Sequence, residues 1–254
     1  MDYLYDDSFE GLLTCIYYHY YEEKATGIYS KAKYQVNILQ EYKIIATNLE
    51  KAQKVSYGIK AKISYEGHRQ ITNVFLSEEP NKENIILTYL IYAFKEGPKG
   101  EQNYTHPAVY PLYKISKKVS FEAHRFKGLI RFIEVGELLY AQIEPDNNIL
   151  PLIAPHFKNR YKNENFLIHD KKRKKAIAYN KKECVITDFE QESDVPITEK
   201  EEKFQALWQK YFETISIENK KNPLLQQQFV PLKYRKNILE FKRGTINREI
   251  DKEK

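Results

Sequence analysis

The spacing of apolar residues changes once along the chain, from a helical period to a strand period of two, near Leu129. Before that point apolar residues recur at helical intervals. The first such helix follows Ser8, a residue type favoured at helix N-caps, and its apolar stripe is Phe9, Leu12, Leu13, Ile16, Tyr17 and Tyr20. After Leu129 apolar and polar residues alternate through 130–134 and 138–143 around a short turn, which predicts a β-hairpin. The pattern predicts an α+β fold, with a small, mostly antiparallel sheet and surrounding helices.

One domain is expected over residues 1–241, with a helical half at about 1–128 and a sheet-containing half at about 129–241. Further helices are predicted at 49–63, 71–76, 85–94, 109–127 and 149–161, and another after Thr198. Further strands are predicted at 42–47, 166–168, 176–179 and 184–188. The basic tail, 242–254, is expected to be disordered.

Charge is segregated into blocks in the second half of the chain. Residues 156–182 hold ten Lys or Arg against two acids, 183–202 hold eight acids and one Lys, and 220–243 hold seven bases and one acid. Two basic blocks separated by an acidic one indicate opposed faces, or an acidic segment that lies over a basic groove and competes with phosphate. A solvated, lysine-rich surface explains the same count.

Several classes of site lack their residues in this chain. Cys15 and Cys184 belong to no metal-binding or iron–sulfur spacing, so we expect no cluster or other cofactor of the chain's own. The chain also lacks the phosphate-binding loop, the dinucleotide fingerprint, the serine-hydrolase elbow and the zinc-deaminase signature. Its acids are concentrated in 183–202, which argues against the clustered carboxylates of a magnesium-dependent nuclease.

Nothing in the sequence predicts a membrane-spanning segment. No stretch of about 18 uncharged apolar residues occurs, and the first residues, 1–11, are acidic where a secretory signal is basic and then apolar. The 42% apolar fraction is sufficient for a folded core. We therefore expect a soluble cytoplasmic protein without a membrane partner.

Several segments of the chain resemble, in order, a family of bacterial DNA metabolism and DNA repair proteins whose domain has no known function. Residues 3–14 are similar to the family's opening YxYDGSFEGLLT, residues 124–132 to HRFxGFxRF, and residues 140–160 to a stretch containing ILPLLAPHFxxRF. The similarity continues through Ile168, His169, Asp170 and Arg173 and reaches Asn222-Pro223. It departs from the family at Asp7, Val230 and Arg235, where glycine, methionine and tryptophan are usual. The resemblance implies a role in DNA repair or modification beside a separate radical SAM protein.

Six basic residues of these segments are candidates for binding a nucleic-acid backbone. Guanidinium groups grip phosphate through paired hydrogen bonds, and His156 and Arg160 share one helix face because they are four residues apart. The candidates are His124, Arg125, Arg131, His156, Arg160 and Arg173. The alternatives are structural: Arg125 pairs with an acid such as Glu122, His124 caps a helix, and His156 packs in the core.

The best candidates for chemistry are His169 and Asp170, at the end of a predicted strand. Adjacent strand residues point in opposite directions, so the structural alternative is that Asp170 caps the turn while His169 packs inward. The function we expect is that of a DNA-binding accessory protein whose catalysis depends on a partner. An enzyme that acts directly on DNA through His169, Asp170 and His156 is the main alternative, and a protein-interaction adaptor is a third.

Overall fold

A computed structural model describes residues 1–36, 38–190, 199–215 and 222–241. The chain divides into two compact units, Met1–Phe121 and Glu122–Lys254. Within the described ranges, no helix combines the length and apolarity that crossing a membrane requires. The predicted tail, 242–254, lies outside the described residues.

The first unit contains a three-stranded parallel sheet in the order β2-β1-β3. Its strands are β1 (Asp2–Tyr5), β2 (Gly27–Ser30) and β3 (Tyr42–Ile44). The central strand β1 is buried along its whole length and pairs in parallel with both neighbours. The helices of this unit are α1 (Phe9–Tyr21), α2 (Leu49–Lys62), α3 (Tyr65–Phe75), α4 (Lys82–Glu96), α5 (Pro98–Glu101) and the first part of α6 (Tyr110–Leu129).

The turn from β1 into α1 explains the polar residues that follow Tyr5. The Asp6 carboxylate accepts hydrogen bonds from the backbone and hydroxyl of Ser8 and from the Thr47 hydroxyl, at 2.6–3.1 Å. Ser8 in turn caps α1 by accepting the Gly11 amide at 2.9 Å. Asp7 adopts a left-handed backbone, with φ of 63°, and Gly11 has no room for a side chain against Asp6.

The outer edge of β2 is closed by a side chain rather than by a strand. The Asn84 side chain, from α4, accepts the Ile28 amide at 2.8 Å and donates to the Ile28 carbonyl at 3.2 Å. Both backbone groups that Ile28 turns away from β1 are therefore satisfied.

The second unit contains a five-stranded sheet in the order β4-β5-β6-β7-β8. Its strands are β4 (Ile133–Val135), β5 (Leu138–Ile143), β6 (Asn165–Asp170), β7 (Lys175–Asn180) and β8 (Cys184–Asp188). Helix α7 (Leu150–Arg160) connects β5 to β6 and packs against β7 and β8. The other described elements of this unit are the end of α6, α8 (Glu199–Ile215), α9 (Pro223–Phe229) and two 3₁₀ segments, Leu232–Asn237 and Leu239–Phe241.

The structure has the predicted combination of helices and strands, but the expectation of a mostly antiparallel sheet is wrong. The sheet of the second unit is mixed because β5 and β6 run parallel, joined by the crossover helix α7. The first unit adds a sheet that is entirely parallel. Its strand β2 lies in a stretch that sequence analysis assigned to no element, since four residues are too few to show a period.

Candidate nucleic-acid interface

Helix α7 carries a half-buried His156 and an exposed Arg160 next to its buried side. Leu150, Ile153, Ala154 and Phe157 follow helical spacing and are buried, while Arg160 is exposed. Pro151 is tolerated because it lies in the first helical turn, where a backbone amide has no intrahelical acceptor. His156 and Arg160 therefore lie four residues apart on one helix, as predicted.

One polar atom of the His156 imidazole lacks a partner within the described ranges. This atom, Nε2, is buried, and the ring packs edge-on against Phe157 at 5.0 Å between centroids. Burial lowers the pKa of His156, and the positive charges of Lys127 and Arg160 lower it further. His156 is therefore a neutral imidazole at pH 7, next to two cations.

Lys127 completes this group, and sequence analysis missed it. It lies on α6, one helical turn after the exposed His124. Neither Lys127 nor Arg160 forms an ion pair with any residue that the structure describes. We call Lys127, His156 and Arg160 the α6–α7 basic cluster. The three-residue spacing from His124 is the signal that could have identified Lys127.

Arg173 is held inside the unit by several acceptors. Its guanidinium donates to the Asp170 carboxylate at 2.9 Å, to the Pro145 carbonyl at 3.2 Å and to the Asp146 carbonyl. Asp170 is fully buried and also accepts the backbone amides of Lys172 and Arg173, at 3.1 and 3.3 Å. Burial raises the pKa of Asp170, and the Arg173 guanidinium opposes that rise. This ion pair fastens the turn after β6 to the loop after β5.

His169 is enclosed on the neighbouring position of β6. It is 2% exposed, its Nδ1 shares a hydrogen bond of 2.9 Å with the Tyr140 hydroxyl, and Phe189 packs edge-on against its ring. Burial lowers the pKa of His169, the Lys171 charge lowers it further, and Asp170 opposes the shift. His169 and Asp170 are thus inaccessible to a substrate in this conformation, which matches the inward-packed histidine and turn-capping aspartate described above as an alternative.

Arg125 and Arg131 contact the C-terminal segment of the second unit. Arg125 donates to the Gln228 carbonyl at 2.8 Å. Arg131 donates to the Glu240 carboxylate at 3.0 Å and stacks its guanidinium on Trp208, which donates to the same carboxylate at 2.9 Å. These two arginines join segments about a hundred residues apart, and the structure does not bring them into the α6–α7 basic cluster.

The acidic block reaches the basic block at one edge of the second sheet. Lys174 pairs with Glu190 at 3.2 Å, and Lys175 pairs with Asp188 at 3.9 Å, both on exposed side chains. Solvent-exposed pairs of this kind contribute little to stability and are readily exchanged. The rest of the acidic block, 191–198, lies outside the described residues.

Two further features bear on chemistry. Both cysteines are free: burial raises the pKa of Cys15 to about 12, and burial raises that of Cys184 while the Lys158 charge opposes it. In the described part of the chain, no three His, Cys, Asp or Glu side chains converge on a point where a metal ion could bind. The α6–α7 basic cluster combines two cations with one neutral imidazole.

Comparison with known proteins gives one match. A family model described as a domain of unknown function, DUF4130, matches residues 80–240, which is more than half of the chain. No curated protein and no solved structure matches the chain. All eight candidate site residues and Lys127 lie within the matched range.

Proposed function

The chain belongs to the DUF4130 family, and we propose that it is a DNA-binding accessory protein of a DNA repair or modification system. In this proposal it acts in the cytoplasm beside a separate radical SAM protein. That partner supplies the iron–sulfur cluster and carries out the catalysis. The setting rests on the sequence resemblance at residues 3–14, 124–132 and 140–160. The mode of binding rests on the α6–α7 basic cluster.

The observation that carries the proposal is the His156 Nε2 atom near two cations, all three without a hydrogen-bond or ion-pair partner among the residues that the structure describes. A buried polar atom without a partner costs about 1–3 kcal/mol, and neighbouring like charges add repulsion. In this proposal Lys127 and the Arg160 guanidinium neutralise the phosphate charge, and the His156 ring turns outward so that a phosphate oxygen accepts its N–H. One bound backbone phosphate thus satisfies all three groups.

The other four basic candidates differ in how accessible they are to DNA. His124 is exposed one turn from Lys127, so it extends the surface along α6 toward a neighbouring phosphate. Arg125, Arg131 and Arg173 already donate hydrogen bonds to protein acceptors. Only their remaining N–H groups are left to contact DNA. We therefore expect their replacement to act mainly on stability.

The test is the affinity of the full chain for a labelled DNA duplex as a function of salt. Each of Lys127→Gln and Arg160→Gln should reduce the magnitude of the slope of log affinity against log salt by about 1, and His156→Gln should weaken binding at every salt concentration. Lys162→Gln is the matched control, since Lys162 is exposed in the same unit outside the cluster. Equal slopes for wild type and the cluster variants would overturn the proposal.

The partner is tested separately. A tagged chain should retain the radical SAM protein of its host in a pull-down after nuclease treatment, and replacing both cysteines with serine should leave that retention unchanged. Loss of the partner on nuclease treatment would mean that DNA alone bridges the two proteins. A stoichiometric cluster assembled anaerobically on this chain by itself would contradict the division of roles.

A further inference from the structure

Helix α6 has a second exposed surface within the first unit, separate from the α6–α7 basic cluster. Its inner side is built from Leu112, Ile115 and Val119, which are buried, and from Ser116, which accepts a hydrogen bond from Asn73 of α3 at 3.1 Å. These contacts fix which side of the helix faces outward. Residues three and four apart on that outer side are therefore held in one row.

The outward row consists of tyrosines and lysines. Tyr110 is 51% exposed, Tyr113 is half-buried, and its ring packs at 4.5 Å from the ring of Tyr104, which is 44% exposed. The exposed lysines are Lys114, Lys117 and Lys118. We call these six residues the α6 tyrosine–lysine face.

The lysines lie against the rings rather than against carboxylates. Lys117 Nζ donates to the Tyr113 hydroxyl at 3.0 Å and lies 5.3 Å from that ring, and Lys114 Nζ lies 5.8 Å from the Tyr110 ring. None of the three lysines pairs with an acid among the described residues. The sequence from 102 to 121 contains no Asp or Glu at all. The positive charge of this face is therefore uncompensated by its own segment.

We propose that the α6 tyrosine–lysine face binds single-stranded nucleic acid, with lysines on the phosphates and tyrosine rings on the bases. The inference rests on the proposed DNA-binding function and adds the state of the strand. Exposed rings offer flat surfaces on which unpaired bases stack, whereas a duplex keeps its base faces covered. Three uncompensated ammonium groups along a helix complement a polyanion that runs beside it.

An anionic membrane surface is the competing occupant, and the face lacks what membrane binding requires. A helix that lies in a membrane buries a wide aliphatic side in the acyl boundary. The aliphatic side of α6 is already used by the core of the first unit, through Leu112, Ile115 and Val119. Charges and rings are interleaved on the outer side, so no continuous apolar strip remains there to insert.

The experiment compares a labelled oligothymidylate with a duplex of the same length. Replacing Lys114, Lys117 and Lys118 together with Gln should lower the magnitude of the salt slope for the single strand by about 2. Tyr110→Leu should weaken single-strand binding by about tenfold, while Tyr110→Phe should retain it, because only a ring can stack. Duplex affinity should stay unchanged in all three proteins.

A matched control uses the same residue types elsewhere in the first unit. Lys60 Nζ lies 5.9 Å from the ring of Tyr65, which is 78% exposed but is followed by Glu66. The double variant Lys60→Gln, Tyr65→Leu should bind the oligothymidylate as wild type does. If this control variant loses as much affinity for the oligothymidylate as the α6 variants do, binding depends only on net charge and exposed rings anywhere on the surface. That result would overturn the proposal.

The remaining outcomes separate this inference from the proposed function. If the α6 variants bind the single strand normally while the Lys127 and Arg160 variants lose duplex binding, the α6 face is refuted and the proposed function stands. If the α6 variants lose single-strand binding and the Lys127 and Arg160 variants bind duplex normally, the α6 face stands and duplex binding by the α6–α7 basic cluster is refuted. Sedimentation with phosphatidylserine vesicles, lost in the triple lysine variant without any change in oligothymidylate binding, would assign the face to a membrane instead.

Discussion

The Tyr234 hydroxyl donates a hydrogen bond of 2.6 Å to the carboxylate of Glu122, joining two buried residues that are 112 positions apart. The same carboxylate accepts the backbone amides of Asp146 and Asn147 and the Asn147 side-chain amide, at 2.6–3.0 Å. Burial and the Glu122 charge both raise the pKa of Tyr234. Four donors thus converge on one carboxylate, which fastens the loop after β5 and the C-terminal segment to the end of α6.

Replacing this carboxylate should destabilise the second unit strongly. Glu122→Ala removes the acceptor shared by four donors, of which the Tyr234 hydroxyl keeps the Asp146 carboxylate at 3.3 Å, and we expect a loss of about 3–5 kcal/mol in the free energy of unfolding. Tyr234→Phe removes one donor and should cost about 1–2 kcal/mol. Urea unfolding followed by circular dichroism measures both. Glu137→Ala, in the exposed turn between β4 and β5, is the control, and a Glu122→Ala protein as stable as this control would contradict the assignment.

Arg160 and Arg173 should respond in opposite ways to replacement by glutamine. Arg173→Gln leaves Asp170 buried without its ion-pair partner, so unfolding should become easier by about 3–5 kcal/mol. Arg160→Gln removes an exposed cation and should change stability by less than about 0.5 kcal/mol while weakening duplex binding. Melting temperature and DNA affinity are measured on each protein. A large affinity loss for Arg173→Gln at unchanged melting temperature would place Arg173 in the binding site.

Asp7 has a left-handed backbone, with φ of 63°. Glycine adopts this conformation without steric cost, whereas a Cβ costs about 1 kcal/mol there. Asp7→Gly should therefore be at least as stable as wild type, and Asp7→Ala should be less stable than Asp7→Gly by about 1 kcal/mol. Equal stability of the two variants in urea titrations would show that the turn relaxes to another conformation.

Acidification should destabilise the first unit through His19. Its Nδ1 accepts the Ala25 amide at 3.0 Å, and burial, followed by the Lys24 charge, lowers the pKa of His19. The unfolded chain binds a proton near pH 6.5 and the folded chain only at lower pH, so the unfolded state holds more protons in between. Stability conferred by the neutral ring is therefore complete above about pH 6.5 and is lost as the pH falls through the folded pKa.

The measurement is the urea midpoint between pH 7.5 and 5.5, for wild type and His19→Asn. The Asn side-chain oxygen can still accept the Ala25 amide but does not titrate. Its midpoint should fall less with acidification than that of wild type. Because burial lowers the pKa values of His68, His156 and His169 as well, a residual slope is expected, and an unchanged slope in the variant would exclude His19 as a contributor.

The sequence pattern predicted the elements with a clear period and missed those without one. The stripe of α1 and the α7 segment follow local spacing and form close to where their periods begin, whereas β4 begins at Ile133, three residues after the predicted start of the alternation. Strand β2 is four residues long, too short to show alternation. The parallel pairing of β5 with β6 depends on how α7 packs, a tertiary contact that periodicity does not contain.

The same limit applies to the candidate site. The sequence spacing of His156 and Arg160 predicted that they share a helix, because they are four residues apart in one helical segment. The acceptor that occupies Arg131 is Glu240, 109 residues away, so no local pattern could separate this arginine from a phosphate-binding one. Lys127 joins His156 from another helix, which again requires the fold.

The closure of β2 by Asn84 has a consequence for how copies of this chain behave at high concentration. An open sheet edge recruits strands from neighbouring molecules and seeds aggregates. Asn84 occupies the amide and carbonyl of Ile28 that an incoming strand would need, and it does so from a helix that cannot itself be extended by strand addition. Asn84→Leu should therefore expose the Ile28 amide and carbonyl to incoming strands and increase self-association, measured as light scattering at high protein concentration.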